Sequence, residues 1–284
     1  MSMYVAFAIL CVLQAADQND STTHEKISLA WSYQVGQKRE FSWDGRFKVE
    51  TTIDDKETPS SDVSFQMKGT VTITEVDGDG TAKGDLQLHY QCFKGIFQGR
   101  PMDNLVVDSK LRKPEGEIPE AARPFFDAML GPAKVLMTRR GSLEVDSKHP
   151  FFGRFNSLWP MMGPILPAQR KVAIGHAWTA PLQSPEMKAK GEDPVSVEYS
   201  FPECVERNGR KYAHITLSTN KAFRMGGADM TLNAKSDGLF DTERGECVRD
   251  KLTGDTGGTM RFQGRKYDMK GSFALEFELL PPKK

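Results

Sequence analysis

The groups in this sequence that could do chemistry are a carboxylate pair and a serine–lysine motif, and their context argues against catalysis. Asp241 and Glu243 lie two residues apart on a predicted strand, so both side chains would share one face, as glycoside hydrolysis could use. A solvated strand face is the favoured interpretation. Ser218-x-x-Lys221 has the order of an activated serine nucleophile, but Ser218 ends a predicted strand instead of opening a helix.

Metal and cofactor motifs are equally weak. Asp77-Gly78-Asp79-Gly80 begins like a calcium-binding loop, but Leu88 stands where such a loop has its closing glutamate, so a hairpin tip is favoured. The five histidines are scattered, and no Cys-x-x-Cys, His-Glu-x-x-His, Gly-x-Ser-x-Gly or phosphate-loop motif occurs. We therefore expect no catalytic residue, no metal site and no cofactor, and a non-catalytic protein is favoured over an enzyme.

The cysteines allow one internal disulfide at most. Cys11 belongs to an N-terminal apolar run, which leaves Cys92, Cys204 and Cys247. Cys92 continues the period-two apolar pattern of its strand, which predicts a buried thiol. Cys204 with Cys247 is therefore the pair that we prefer.

Composition excludes several classes of protein. The chain has 284 residues, enough for a large core without covalent staples, and equal numbers of basic and acidic side chains, 38 of each. A net charge of zero argues against nucleic acid as a partner, because binding rests on neutralising phosphates. No internal segment is apolar enough to span a membrane.

The N-terminus predicts export. An apolar run from Met3 to Leu13 is followed by Ala15 and Ala16, the pattern of a cleaved signal peptide over residues 1–16. We therefore expect a secreted or periplasmic protein.

Alternation of apolar and polar residues dominates the rest of the chain. It runs through residues 27–35, 47–53, 63–73, 195–217 and 267–279, with turn signals such as Asn208-Gly209 between the runs. One wet and one buried face per strand is typical of antiparallel sheets. The predicted fold is mainly β, with long curved antiparallel sheets or a half-barrel and one or two short helices in the middle.

A weak internal repeat divides the chain into two similar β units. Tyr33-x-Val35-Gly36 resembles Val172-x-Ile174-Gly175, and each copy precedes a hairpin, around Gly80 and Gly209 respectively. The predicted organisation is a first unit over 17–148, with a short helix near 119–131, an apolar connector over 149–167 and a second unit over 168–284.

The stretch from 125 to 167 breaks the alternation and is rich in methionine, aromatic residues and proline. It predicts a plug that completes the core, a cover over an apolar ligand pocket, or an exposed patch for a protein or membrane surface. The pocket hypothesis assigns ligand binding to eight side chains: Phe125, Phe126, Met129, Phe152, Phe155, Trp159, Met161 and Met162.

A signature of Leu166-Pro167, Val172, Gly175 and Trp178, with the Asn208-Gly209 hairpin, is similar to a family of secreted bacterial (planctomycete-like) proteins of unknown function. The resemblance implies a β-rich fold and no catalytic motif. The predicted architecture is also similar to half-barrel lipid carriers of the bacterial envelope. We expect an exported non-catalytic protein that binds an apolar or lipid-like ligand between the sheet and the 125–167 segment. The alternatives are an envelope or extracellular structural module, whose partner would be an envelope protein, and a hydrolase with an unrecognised site.

Overall fold

The computed structural model describes residues 26–97, 99–108, 131–146, 164–167, 171–182, 191, 193–225, 228–262 and 264–281. Within these ranges the regular elements are strands: β1 Ile27–Ser28, β2 Lys38–Ile53, β3 Lys56–Glu57, β4 Ser61–Val76, β5 Ala82–Phe97, β6 Arg100–Asp108, β7 Ala133–Met137, β8 Leu143–Val145, β9 Lys171–Val172, β10 Ala177–Leu182, β11 Val195–Arg207, β12 Arg210–Met225, β13 Ala228–Asp241, β14 Glu246–Phe262 and β15 Arg265–Leu279.

Thirteen of these strands form one antiparallel sheet. Its order is β10-β11-β12-β13-β14-β15-β2-β4-β5-β7-β8, with β3 paired to β2 and β6 paired to β5. The sheet is curved and is not closed, which confirms the predicted fold class. Strands such as β2 have 16 residues, so they are about 50 Å long at about 3.3 Å per residue. The helix predicted near 119–131 lies outside the described residues.

Two loops of the predicted internal repeat have equivalent geometry. Gly36 and Gly175 both have positive φ, 81° and 87°, in loops that precede β2 and β10. The Gly36 N–H donates to the Ile73 carbonyl at 2.9 Å, and the Gly175 N–H donates to the Phe201 carbonyl at 2.7 Å. In return, the Ile73 N–H donates to the Gln37 carbonyl and the Phe201 N–H donates to the His176 carbonyl, both at 2.9 Å.

The repeat extends to strand order. The series β2-β4-β5-β7-β8 corresponds to β10-β11-β12-β13-β14, and β15 joins the two series into one sheet. The two similar β units therefore share a continuous sheet, whereas their sequence boundaries remain predictions.

One end of the concave face, which we call the closed end, is filled by the segment before β2. Leu29 and Trp31 are buried there. The Trp31 N–H donates to the Arg139 carbonyl at 3.0 Å, and the Ser32 N–H donates to the Gly245 carbonyl at 2.8 Å. These acceptors lie in the β7–β8 turn and the β13–β14 turn, so the segment connects the equivalent turns of the two units.

Residues 164–167 fill the rest of the closed end. The Leu166 N–H donates to the Arg140 carbonyl at 2.7 Å, and the Trp178 indole N–H donates to the Ile165 carbonyl at 2.8 Å. Trp178 is half-buried, and this bond satisfies its ring N–H. The signature residues Leu166 and Trp178 therefore have a structural role.

A buried ion cluster anchors the segment before β2. The Arg39 guanidinium lies over the rings of Trp31 and Tyr33, at 5.8 and 5.0 Å from their centroids, and donates to the Ser32 carbonyl. Its Nε is 3.4 Å from Oε2 of Glu246. Burial lowers the pKa of Arg39 and raises that of Glu246, and their mutual attraction opposes both shifts. Removal of Glu246 would leave the buried Arg39 guanidinium without its counter-charge, so the cluster ties this segment to the sheet.

The predicted disulfide between Cys204 and Cys247 is wrong: the structure has both residues, and Cys92, as thiols. Cys204 pairs with Ala213, Ala213 pairs with Phe240 and Phe240 pairs with Cys247. The two cysteines thus lie three strand spacings apart, or about 14 Å, well beyond the reach of a disulfide. The Cys247 thiol instead donates to the Arg249 carbonyl at 3.3 Å.

Gly45, in the middle of β2, has no side chain, and the side chains of Phe65 and Leu275 from the two neighbouring strands occupy the space above it. A Cβ at this position would lie 2.3 Å from Cζ of Phe65 and 2.7 Å from Cδ2 of Leu275. Those residues are its register partners on β4 and β15. The glycine is therefore a packing requirement of the concave face.

We expect Gly45→Ala to lower the free energy of unfolding by roughly 1–3 kcal/mol, because the added methyl group overpacks this crossing. Gly78→Ala is the matched control, since a Cβ at Gly78 meets nothing within 4 Å. The control should change stability by less than about 0.5 kcal/mol. Urea denaturation followed by tryptophan fluorescence measures both, and equal midpoints for the two variants would contradict the packing role.

Candidate functional site: an apolar trough on the concave face

Beyond the closed end, the concave face forms a trough with apolar walls. Its deepest part is a small cleft of about 40 Å³, partly open to solvent, and is lined by Trp43, Phe65, Met67, Asp250, Leu252, Leu275 and Phe277. The apolar surface continues toward the opposite end of the strands, where Phe47, Phe93, Leu232 and Phe273 are only partly buried. We call this whole surface the trough.

Strand register brings these side chains together. Trp43 pairs with Met67 on one side and with Phe277 on the other, and Phe277 pairs with Asp250. Directly paired residues on adjacent strands point to the same face. One transverse row of the sheet, from Gln91 through Met67, Trp43 and Phe277 to Asp250, therefore crosses the floor of the trough.

Aromatic rings cover much of that floor. The Phe65 ring lies 6.5 Å from the Phe47 ring and 6.4 Å from the Phe93 ring, centroid to centroid. Phe41 lies 4.8 Å from Trp43 and closes the trough on the side of the closed end. Ring pairs at these separations add about 0.5–1.5 kcal/mol beyond the area that they bury.

Two polar side chains, Gln91 and Asp250, enter this apolar surface, each after a β-bulge. The β4–β5 register shifts between Lys68 and Gly69. The inward-facing residues of β5 are therefore even-numbered up to Leu88 and odd-numbered from Gln91 onward. The β13–β14 register shifts between Leu239 and Phe240. In β14 the side chain of Cys247 faces inward before this shift, and that of Asp250 faces inward after it. Bulges re-aim side chains in this way and are frequent beside functional sites.

The first bulge also corrects the prediction for Cys92. Cys92 is half-buried instead of buried, because the added residue moves it away from the inward side that Gln91 and Phe93 occupy. Leu88 and Phe93 are both apolar, but one has an even and the other an odd position in the same strand. Strict alternation would put them on opposite faces, and this mismatch is the sequence signal that could have revealed the bulge. Sequence analysis missed Gln91 and Asp250 for this reason.

Asp250 is a carboxyl group in an apolar setting. Burial raises its pKa to about 7, opposed by a hydrogen bond from Ser236 and reinforced by Asp237. Its register partner is Gly238. A Cβ added to Gly238 would lie 3.1 Å from Oδ1 of Asp250. The glycine thus provides the space that the carboxyl group occupies.

The residues predicted from sequence have mixed outcomes. All eight proposed ligand-binding side chains, from Phe125 to Met162, lie outside the described residues. Asp241 and Glu243 are not a paired strand face: the Asp241 carboxylate accepts the backbone N–H groups of Glu243 and Arg244 at 3.0 and 2.9 Å and shapes the β13–β14 turn. Within the described ranges, no group of three or more His, Cys, Asp or Glu side chains could hold a metal ion.

No helix among the described residues is long and apolar enough to cross a membrane.

The comparisons with known proteins support the fold. No protein-family model matches the sequence, and no curated protein matches it significantly. The chain is similar to lipovitellin, a protein whose solved structure concerns lipid–protein interactions, with a TM-score of 0.50 and 10% identity over 89% of this chain. It covers 26% of the lipovitellin chain.

Two further solved structures are less similar. An outer membrane channel from Pseudomonas putida F1 has a TM-score of 0.25 and 6% identity, over 93% of this chain and 100% of the channel. A DUF1329 family protein from Desulfovibrio piger has a TM-score of 0.16 and 10% identity, over 95% of this chain and 91% of that protein. Both scores lie below that of a shared fold.

We expect Asp250 to make stability depend on pH. With a folded pKa of about 7 and an ordinary value of 3.8, the folded protein holds a proton that the unfolded chain releases between those values. Stability therefore falls as pH rises through this window, by up to about 4 kcal/mol, and then levels off. Asp250→Asn should be more stable than the natural protein at about pH 8 and should lose this pH dependence.

Urea denaturation at about pH 5 and about pH 8 measures the effect. Asp255→Asn is the control, because Asp255 is exposed on the same strand and does not contribute to the raised pKa of Asp250. A parallel pH dependence in Asp250→Asn and the natural protein would show that the carboxyl group is not held protonated by burial.

Proposed function

We propose that this protein is an exported, non-catalytic carrier that holds an apolar or lipid-like ligand in the trough. The observation that carries the proposal is the trough itself: a continuous apolar and aromatic surface on the concave side of long strands, filled at the closed end and only partly buried beyond it. Ligand pockets for apolar molecules are lined mainly by such side chains.

The fold supports the same proposal. Lipovitellin, whose solved structure concerns lipid–protein interactions, is similar in fold over 89% of this chain. Fold alone does not imply function, so the proposal rests on the apolar lining of the trough and takes the likeness as support.

The proposal includes a cover and an export route. In this proposal the side chains on either side of the β7–β8 hairpin supply the opposite wall of the ligand site: Phe125, Phe126, Met129, Phe152, Phe155, Trp159, Met161 and Met162. The apolar run from Met3 to Leu13 directs the protein to a secreted or periplasmic location and is removed near Ala16.

We expect Leu252→Gln to weaken binding of the apolar dye N-phenylnaphthylamine by about tenfold, because an amide replaces apolar wall in the trough. Thr253→Gln is the matched control, since Thr253 neighbours Leu252 on the same strand but is exposed on the other face. Dye fluorescence titrations on the chain from Asp17 onward measure both affinities, and circular dichroism checks that both variants fold.

Native mass spectrometry followed by organic extraction provides the direct test. A reproducible additional mass that extracts into solvent is the expected result, and Trp159→Ala should reduce the fraction of protein that carries it. A mass that matches the bare chain, together with equal dye affinities for Leu252→Gln and Thr253→Gln, would refute the carrier function. The structural-module alternative would then take its place.

A further inference from the structure

The geometry points to a neutral, hydrogen-bonding amphiphile as the ligand of the trough, with its polar group at the transverse row that holds Gln91 and Asp250 and its hydrocarbon chain on the apolar surface beyond that row. This inference rests on the proposed carrier function and narrows its ligand class to long-chain alcohols and acylglycerols.

Gln91 is the first support. Its side chain is fully buried, and neither the amide nitrogen nor the amide oxygen has a hydrogen-bond partner. A buried amide without partners is costly, because both groups lose their bonds to water. The register places Gln91 beside Met67, which lines the trough, so its side chain is on the inward face of the sheet. An amide offers one donor group and one acceptor group, which suits a hydroxyl group.

Asp250 is the second, independent support. It is 8% exposed and lines the deepest part of the trough, and its Oδ1 has no hydrogen-bond partner. Ser236 hydrogen-bonds to the carboxyl group from the neighbouring strand. Asp250 therefore has one carboxyl oxygen without a hydrogen-bond partner in an otherwise apolar wall.

The two groups share one transverse row. Gln91 and Asp250 lie at its two ends, on either side of Trp43, and β-bulges direct both of them inward. From this row the trough continues over Phe65, Leu252 and Leu275 toward the partly buried end of the strands. The two side chains are four strand spacings apart, about 19 Å along the sheet, so the polar group of one ligand bonds to one of them while its long chain lies on the apolar surface.

Charge selects a neutral polar group. The described residues that line the deepest part of the trough include one carboxyl group and no cation. An anionic head would face Asp250 in an apolar setting without a counter-charge, which is strongly unfavourable. A fatty acid anion should therefore bind less well than an alcohol or acylglycerol with the same chain.

Displacement of bound N-phenylnaphthylamine by three competitors tests the inference at about pH 8: mono-oleoylglycerol, oleate and the hydrocarbon octadecene. We expect the natural protein to prefer mono-oleoylglycerol over octadecene and over oleate by about tenfold, the value of one or two buried hydrogen bonds. Gln91→Leu should reduce the preference over octadecene to about twofold while its affinity for octadecene stays the same.

Gln91→Leu should also unfold at higher urea concentration than the natural protein, because it removes unpartnered buried groups from the ligand-free state. A purely structural glutamine would give the opposite shift. Asp250→Asn keeps the shape of the carboxyl group and should raise the relative affinity for oleate, which provides a second variant if Gln91→Leu does not fold.

The outcomes separate the two proposals. If the dye does not bind, or no competitor displaces it, both the carrier function and this inference fail. If all three competitors displace it with equal affinity, the trough binds apolar molecules but Gln91 and Asp250 do not select them, and only this inference fails. An unchanged preference in Gln91→Leu would overturn the role of Gln91 in particular.

Discussion

A curved sheet of long strands has one apolar face that it cannot cover by itself, and this constraint governs the rest of the structure. At the closed end, Leu29 and Trp31 enter from the segment before β2, and residues 164–167 enter from a distant part of the chain. The Arg39–Glu246 pair holds the first of these segments in place. Beyond them the apolar face continues, and the trough is the part of the concave surface that the described segments leave partly uncovered.

The regular features of the fold, namely the alternating strands and the repeated loop, can be predicted from the sequence. The pairing of distant strands and the positions of the bulges cannot. Strict alternation predicts the strands and their curvature, and the Tyr33 to Gly36 motif predicts a second copy that matches the first in hydrogen bonding and strand order. The predicted Cys204–Cys247 pair fails because pairing depends on strand order, which spacing along the chain does not reveal. Gln91 and Asp250 escape prediction because each follows a bulge that reverses the inward side of its strand.

The bulges show how an antiparallel sheet places polar groups within an apolar surface without breaking its strands. Side chains of a strand alternate between the inward and the solvent face. A bulge adds one residue, so that the residues after it which would have faced solvent face inward instead. The price is a local loss of ladder bonds. Gly45 and Gly238 complete the arrangement, one by leaving space for the aromatic floor and the other by leaving space for a carboxyl group.

Because the sheet is open, its outer strands must avoid pairing with other molecules. β10 and β8 end the sheet, with 6 and 3 residues, and β6 lies outside one half of β5. The two longer outer strands each contain a proline, Pro181 in β10 and Pro101 in β6, which has no N–H to offer an incoming strand. Short or proline-containing margins disfavour edge-to-edge association. The margins that the structure describes thus disfavour the recruitment of a second copy to complete the circle.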